Sequence, residues 1–344
     1  MDSKGFLLRR TSSVLKGGTG DILYLTIFYT NNDPRNGIYK WTEKEGLVFI
    51  NNPIGNFGAF NVRILGSYDG NIVYVGANFN GRLYMSINGA PFVQRDFSNL
   101  TYSWLQYGAC SGDGSILYLA DVSVIYKAVG LNTINVTNIY ANYYNNNNYL
   151  LCNEEGNAIL FSSNLYDPEN TNYSYINSIG LSPEINKSLS SSQTSNYRLR
   201  LIASSSDFNM IYLLYENHDD SGVPYAFLYS NNKLTSWTNI INGQQIRSAT
   251  CNKDGSKAFL SSTASSQSYL RAYLNGSLVN TIQTAGTTQV YKNMVYSGND
   301  MLYLTHNDNR RVFKSGNGVS PLEEIINIGS TGTILGLFTN IDKR

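Results

Sequence analysis

The 344-residue chain has two histidines, His218 and His306, and three cysteines, Cys110, Cys152 and Cys251. Two isolated histidines make neither a catalytic triad nor a zinc site, and the cysteines have no CxxC spacing or partnering histidine. Each cysteine instead stands three residues before an acid: Asp113, Glu155 and Asp254 respectively. That recurrence marks them as small apolar residues of a repeated unit. The acids Asp69, Asp113, Glu155, Asp207 and Asp254 recur in the same way. They read as hairpin formers that accept local backbone N–H groups, not as paired catalytic carboxylates. Arg63, Arg82, Arg198, Arg200, Arg247 and Arg271 lie in or beside apolar runs, and no phosphate-binding glycine loop accompanies them.

The residues left to do chemistry sit in polar segments of varying length: "FYTNNDPRNG" (28–37), "SSNLYDPENTNY" (162–173), "YENHDDSGVPY" (215–225) and "THNDNR" (305–310). Their candidate ligand-binding side chains are Tyr29, Asp33, Tyr166, Asp167, His218, Asp219, Asp220, His306 and Asp308. Carboxylates and amides bond sugar hydroxyls while aromatic faces cover the apolar side of a sugar ring. "HDDSG" and "NNDPRNG" lack EF-hand spacing. No metal, cofactor or catalytic residue is assigned.

The elements that must position these segments form an internal repeat. "GSYDGNIVYVGANFNGRLYMSINGAPF" (66–92) aligns with "ACSGDGSILYLA", "LCNEEGNAILFS", "SSSDFNMIYLLY", "TCNKDGSKAFLS" and "YSGNDMLYLT", with "KGGTGDILYLT" as a weaker first member. The residue at the heart of each copy runs Tyr24, Tyr74, Tyr118, Leu160, Tyr212, Phe259, Tyr303. The successive spacings of roughly 42 to 52 residues match a propeller blade. Asp-Gly between apolar runs is a strong hairpin signal, because both residues tolerate positive φ. A further strand follows in each unit, as in "GIYKWT", "RLYMSI" and "VIYKAV", and then a last one; "SPLEEIINIG" is expected to be an outer strand. The chain is therefore expected to be all-β, a single domain over 1–344: a seven-bladed β-propeller of four-stranded antiparallel blades. The extra run "TGTILGLFTN" (331–340) has no blade of its own and is expected to pair with an N-terminal strand, closing the ring and removing exposed sheet edges. "YANYYNNNNYLL" (140–151) and "SLSSSQTSNY" (188–197) read as low-complexity connectors.

Hydrophobic residues make up 42% of the chain and charged residues 14%, with a net charge of +1, 27 Tyr and 30 Gly. A packed core is affordable, and no basic field exists to hold nucleic acid. The start "MDSKGFLLRRTSS" carries an apolar patch too short for a signal peptide, and no run of about 18 apolar residues predicts a membrane span. The compartment stays open between a virion and the cytoplasm.

"SYDGNIVYV" followed by "LYMSINGAPF", and "FLYSNNKLTSW", resemble the BNR or Asp-box propellers, which include sialidases and sortilin-like domains. The family's Ser-x-Asp-x-Gly-x-Thr-Trp box is nowhere intact: "SINGAPF", "SNNKLTSW" and "SGNGVSPL" all lack its Asp. The resemblance implies the propeller fold. A sialidase-like site would need an arginine cluster, a Tyr–Glu nucleophile pair and an acid, and no family motif marks them. The expectation is a non-enzymatic recognition or assembly propeller that binds protein or glycan through its loop face. Its composition suits a virion, phage-particle or host-contact component. The alternatives are a purely structural virion scaffold and a diverged sialidase-like glycoside hydrolase.

Overall fold

The computed structural model describes residues 20–340 except segments 56–61, 78–81, 96–106, 121–123, 131–134, 142–144, 166–172, 189–196, 218–224, 233–235, 265–266 and 285–290 and residues 185, 307 and 319. It is the expected ring of seven antiparallel four-stranded blades. From the axis outward, blade 2 runs Val62–Gly66, Ile72–Ala77, Leu83–Ile87, Val93–Arg95, and blade 3 runs Tyr107–Cys110, Ile116–Ala120, Val124–Val129, Asn135–Ala141. Blade 4 runs Asn145–Cys152, Ile159–Leu165, Tyr173–Ile179, Asn186–Ser188, and blade 7 runs Tyr291–Tyr296, Met301–His306, Arg311–Gly316, Glu323–Asn327. The last of these is the outer strand expected from "SPLEEIINIG".

Blades 5 and 6 share one long strand, Thr238–Cys251. It is the outer strand of blade 5 as far as Gln244, which pairs with Tyr225, and the inner strand of blade 6 from Gln245, which pairs with Thr263. The Asn-rich run expected to be a connector is strand instead. Asn145–Asn148 pair with Leu165, Asn164, Ser163 and Ser162 at the start of blade 4's inner strand. Neighbouring strands there override the poor β propensity of Asn.

Closure is as expected. Blade 1 takes Leu23–Phe28, Gly37–Thr42 and Gly46–Asn51 from one end of the described chain and Thr333–Thr339 from the other as its inner strand. This explains why the first repeat reads weakly: the strand that should precede its turn lies more than 300 residues away.

In blades 2 to 6 the repeated turn follows one local rule. Its first residue, Ser or Asn, accepts from the N–H five residues on with its side-chain oxygen: Ile72 N to Ser67 Oγ 2.9 Å, Ala158 N to Asn153 Oδ1 2.9 Å, Lys257 N to Asn252 Oδ1 2.9 Å. Its acid accepts two residues on, as Asn71 N does to Asp69 Oδ1 and Ser115 N to Asp113 Oδ1, both 2.9 Å. The acids are turn builders. At the seam the rule survives a break in the chain, since Ile22 N donates to Asn340 Oδ1 at 3.0 Å.

The second residues of successive turns are stitched by backbone bonds: Tyr68 N to Gly112 O, Gly112 N to Glu154 O, Glu154 N to Ser206 O, and Ser206 N to Lys253 O, all 2.7–2.9 Å. Between blades, core tyrosines reach the next turn. The hydroxyls of Tyr74, Tyr118 and Tyr212 donate to the carbonyls of Gly114, Gly156 and Gly255 at 2.7–2.8 Å. The three cysteines are free thiols on inner strands.

Candidate functional site

Strands alternate in direction within a blade. Every connection between second and third strands therefore emerges on one face of the disc, opposite the repeated turns. The described loops bearing candidate residues, those of blades 1 and 7, share that face. Tyr166, Asp167, His218, Asp219 and Asp220 lie outside the described residues. Tyr29, Asp33, His306 and Asp308 belong to the loops of blades 1 and 7, which are neighbours in the ring.

In blade 1 the loop is built around Asn36, which is fully buried. Its Oδ1 accepts from Tyr29 N at 2.7 Å and its Nδ2 donates to Thr30 O at 2.7 Å. This clamp curls the segment so that Arg35 closes onto Asp33. Arg35 Nε donates to Oδ1 at 3.0 Å and Nη2 to Oδ2 at 2.8 Å, a bidentate pair, while the Arg35 N–H donates to Oδ1 at 2.8 Å. The same guanidinium lies over the Tyr29 ring, 4.1 Å from its centroid. The Arg35 side chain holds the Asp33 carboxyl below the usual carboxylate range, and Asp33 in turn raises Arg35.

Blade 7 repeats the device. Asp308 Oδ1 accepts from Arg310 N at 2.9 Å, and its Oδ2 takes Arg311 Nε at 3.0 Å and lies 3.1 Å from His306 Nδ1. Burial opposes ionisation of Asp308, but the Arg310 N–H and the Arg311 side chain outweigh it, so its pKa is lowered. His306 is buried, edge-on to Tyr291 and tilted against Phe313.

The segment leading into the closing strand joins the two loops. Ile328 N donates to Arg310 O at 3.0 Å and Ile334 N donates to Asn309 O. Tyr29 and Ile328 pack against the same core cluster, and a Cβ added at Gly332 would stand 2.9 Å from the tyrosine ring and 2.7 Å from Ile328. The structure thus brings Tyr29, Asp33, His306 and Asp308 onto one connected surface. Sequence reasoning missed Asn36, Arg35 and Arg311. The available signal was an arginine two or three residues after each loop acid. Among the described residues no three His, Cys, Asp or Glu side chains converge as a metal site, and no helix is long and apolar enough to cross a membrane.

No protein-family model matches the chain, and no curated protein matches it. Solved structures do. A Lactobacillus plantarum protein is similar at 10% identity over 93% of this chain and 99% of that one, with a TM-score of 0.62. The oligogalacturonate lyase of Vibrio parahaemolyticus is similar at 10% identity over 90% and 87%, with a TM-score of 0.57. The Dos1 propeller is similar at 11% identity over 94% and 92%, also with a TM-score of 0.57. Identities this low show the propeller fold and no more. They support the seven-bladed architecture that the Asp-box resemblance implies, and not the Asp-box family itself.

Proposed function

We propose that the chain is a non-enzymatic recognition propeller that engages a glycan or a protein through the loop face of the disc. The observation that carries this reading is the pair of pre-ordered loops on blades 1 and 7. Each fixes an acid against an arginine of its own loop and sets that arginine by an aromatic ring, Tyr29 or Phe313. Groups locked before a ligand arrives lose little entropy on binding. Both acids are held below the ordinary carboxylate range, the opposite of what a general acid needs near neutrality. A place in a virion or host-contact appendage fits the low charge and the Asn- and Tyr-rich composition.

A second reading, structural assembly through the rim, is favoured by one observation. Val48, Phe49 and Val93 are exposed on the outer strands of the adjacent blades 1 and 2.

A glycan-array screen followed by inspection for cleavage products tests both. Selective capture that Tyr29→Ala and Arg35→Ala abolish supports recognition. Cleavage overturns the non-enzymatic reading, and absence of any capture shifts weight to assembly through the rim.

A further inference from the structure

Arg271 is a buried cation with no charged partner among the described residues. It lies on the third strand of blade 6, Gln267–Leu274, with only 9% of its surface exposed. Its Nη1 donates to Gln244 Oε1 at 2.7 Å and to the Ser262 hydroxyl, both neutral acceptors. Its guanidinium lies 4.4 Å from the centroid of the Tyr269 ring. The Nε and Nη2 donors, the edge with which an arginine grips an oxyanion by two parallel hydrogen bonds, have no partner among the described residues. A desolvated guanidinium with neutral neighbours is a costly arrangement unless an anion completes it. Burial here lowers the Arg271 pKa, with the tyrosines Tyr273 and Tyr269 acting the other way.

The surroundings supply a route. Residues two apart on a strand share a face, so Gln267, Tyr269 and Arg271 form a file leading inward from the second-to-third-strand turn of blade 6. Gln244 stands where the shared strand passes from blade 5 to blade 6, on the same side of the disc. The file's face is the one packed on blade 5, since its next member Tyr273 lies in the cluster that holds Tyr212, Leu214 and Tyr229.

We infer that Arg271, with Tyr269, Gln244 and Ser262 around it, forms a site between blades 5 and 6 for a small oxyanion, either free or carried on a sugar. The inference deepens the recognition reading and rests on it for the face from which the ligand enters.

The test is thermal melting of the full chain in inorganic sulfate, in glucuronate and in glucose, each against chloride at matched ionic strength. Sulfate, glucuronate or both should raise Tm by about 2 °C at a tenfold excess over the dissociation constant, and glucose should not. Response to sulfate alone identifies a free anion; response to glucuronate identifies the sugar-borne one. Arg271→Gln should remove the response. Gln244→Glu is the second variant. It places a carboxylate beside the guanidinium, so it should raise Tm in chloride and abolish the anion response. An anion shift as large as the native one in either variant, or no shift in the native chain, overturns the inference. If Arg271→Gln does not fold, Gln244→Glu alone decides. Array capture of neutral glycans without an anion response would remove this site and leave the recognition reading standing. An anion response without array capture would do the reverse.

Discussion

The hydroxyl of Tyr303 in blade 7 donates to Asp21 Oδ2 of blade 1 at 2.7 Å, joining residues 282 apart in sequence. Asp21 also accepts from Ser297 Oγ and from Asn299 Nδ2, both at 2.8 Å. In blades 2, 3 and 5 the matching tyrosine meets a glycine carbonyl of an intact turn. At the seam the turn is divided between the two ends of the ring, and a buried carboxylate replaces that carbonyl. Tyr303→Phe should cost about 2 kcal/mol of unfolding free energy, the usual worth of a hydrogen bond to a charged acceptor. Asp21→Ala should cost more, about 3 kcal/mol, because it strands the buried hydroxyls of Tyr303 and Ser297 and the half-buried amide of Asn299. Urea unfolding measures both, and equal small losses would refute the assignment of Asp21 as the closing latch.

The thiols should be inert in the folded ring. Cys110 Sγ donates to Gly66 O at 3.0 Å and Cys251 Sγ to Ser204 O at 3.2 Å, in each case an inner strand of the preceding blade. Burial pushes the Cys152 and Cys251 thiols up to about 12 and Cys110 up as well. At pH 8 the thiolate fraction is then on the order of one in ten thousand. Maleimide labelling followed by mass spectrometry should find no cysteine modified in native buffer and all three modified in denaturant. Rapid native labelling of any one would contradict its placement.

The repeat, blade count and closing strand were legible because Asp-Gly turns and short apolar strands are local signals, readable one unit at a time. Asn145–Asn148 misled because Asn favours turns locally, whereas its strand state is imposed by pairing with Ser162–Leu165. The shared strand Thr238–Cys251 was hidden for a related reason: its change of blade is visible only in its partners. The loop residues Tyr29, Asp33, His306 and Asp308 could be selected by type. Their state could not, because the fold of each loop decides whether an acid faces solvent or its own arginine. Asp33 meets Arg35 only because the buried Asn36 curls the chain between them.

Acid should weaken the ring through its turns. Burial opposes ionisation of Asp113 and Asp207, yet hydrogen bonds from Ser111 and Ser205 and from the N–H two residues on outweigh it and lower both pKa values. At Asp254 the Ser256 hydroxyl is the largest cause of a lowered value. A folded-state pKa below the unfolded one, near 3.9, stabilises fully above the unfolded value and loses that contribution as pH falls through the folded value. Replacing Asp113, Asp207 and Asp254 together by Asn should lower Tm at pH 7. The gap from the native chain should shrink as pH falls from about 5 to 2. A gap independent of pH would show that the acids act through shape alone.

Blade 5 carries an exchange that a double-mutant cycle can measure. Its turn has Phe208, at φ 60°, where the turns of blades 2, 3, 4 and 6 have glycine, and Phe208 is fully buried. The facing position of blade 4 is Leu160 where the other blades mostly have tyrosine, and the two side chains share one buried cluster. A tyrosine reaching a glycine carbonyl has been replaced by a leucine packed with a turn phenylalanine. Phe208→Gly alone relieves an unfavourable φ but opens a cavity, and should cost about 3 kcal/mol. Leu160→Tyr alone overpacks the cluster and should cost about 2 kcal/mol. Together they recreate the arrangement of Tyr74 with Gly114, so the pair should cost less than the sum by about 1–3 kcal/mol. Urea denaturation of the four proteins checks this, and additive losses would show that the two residues pack independently.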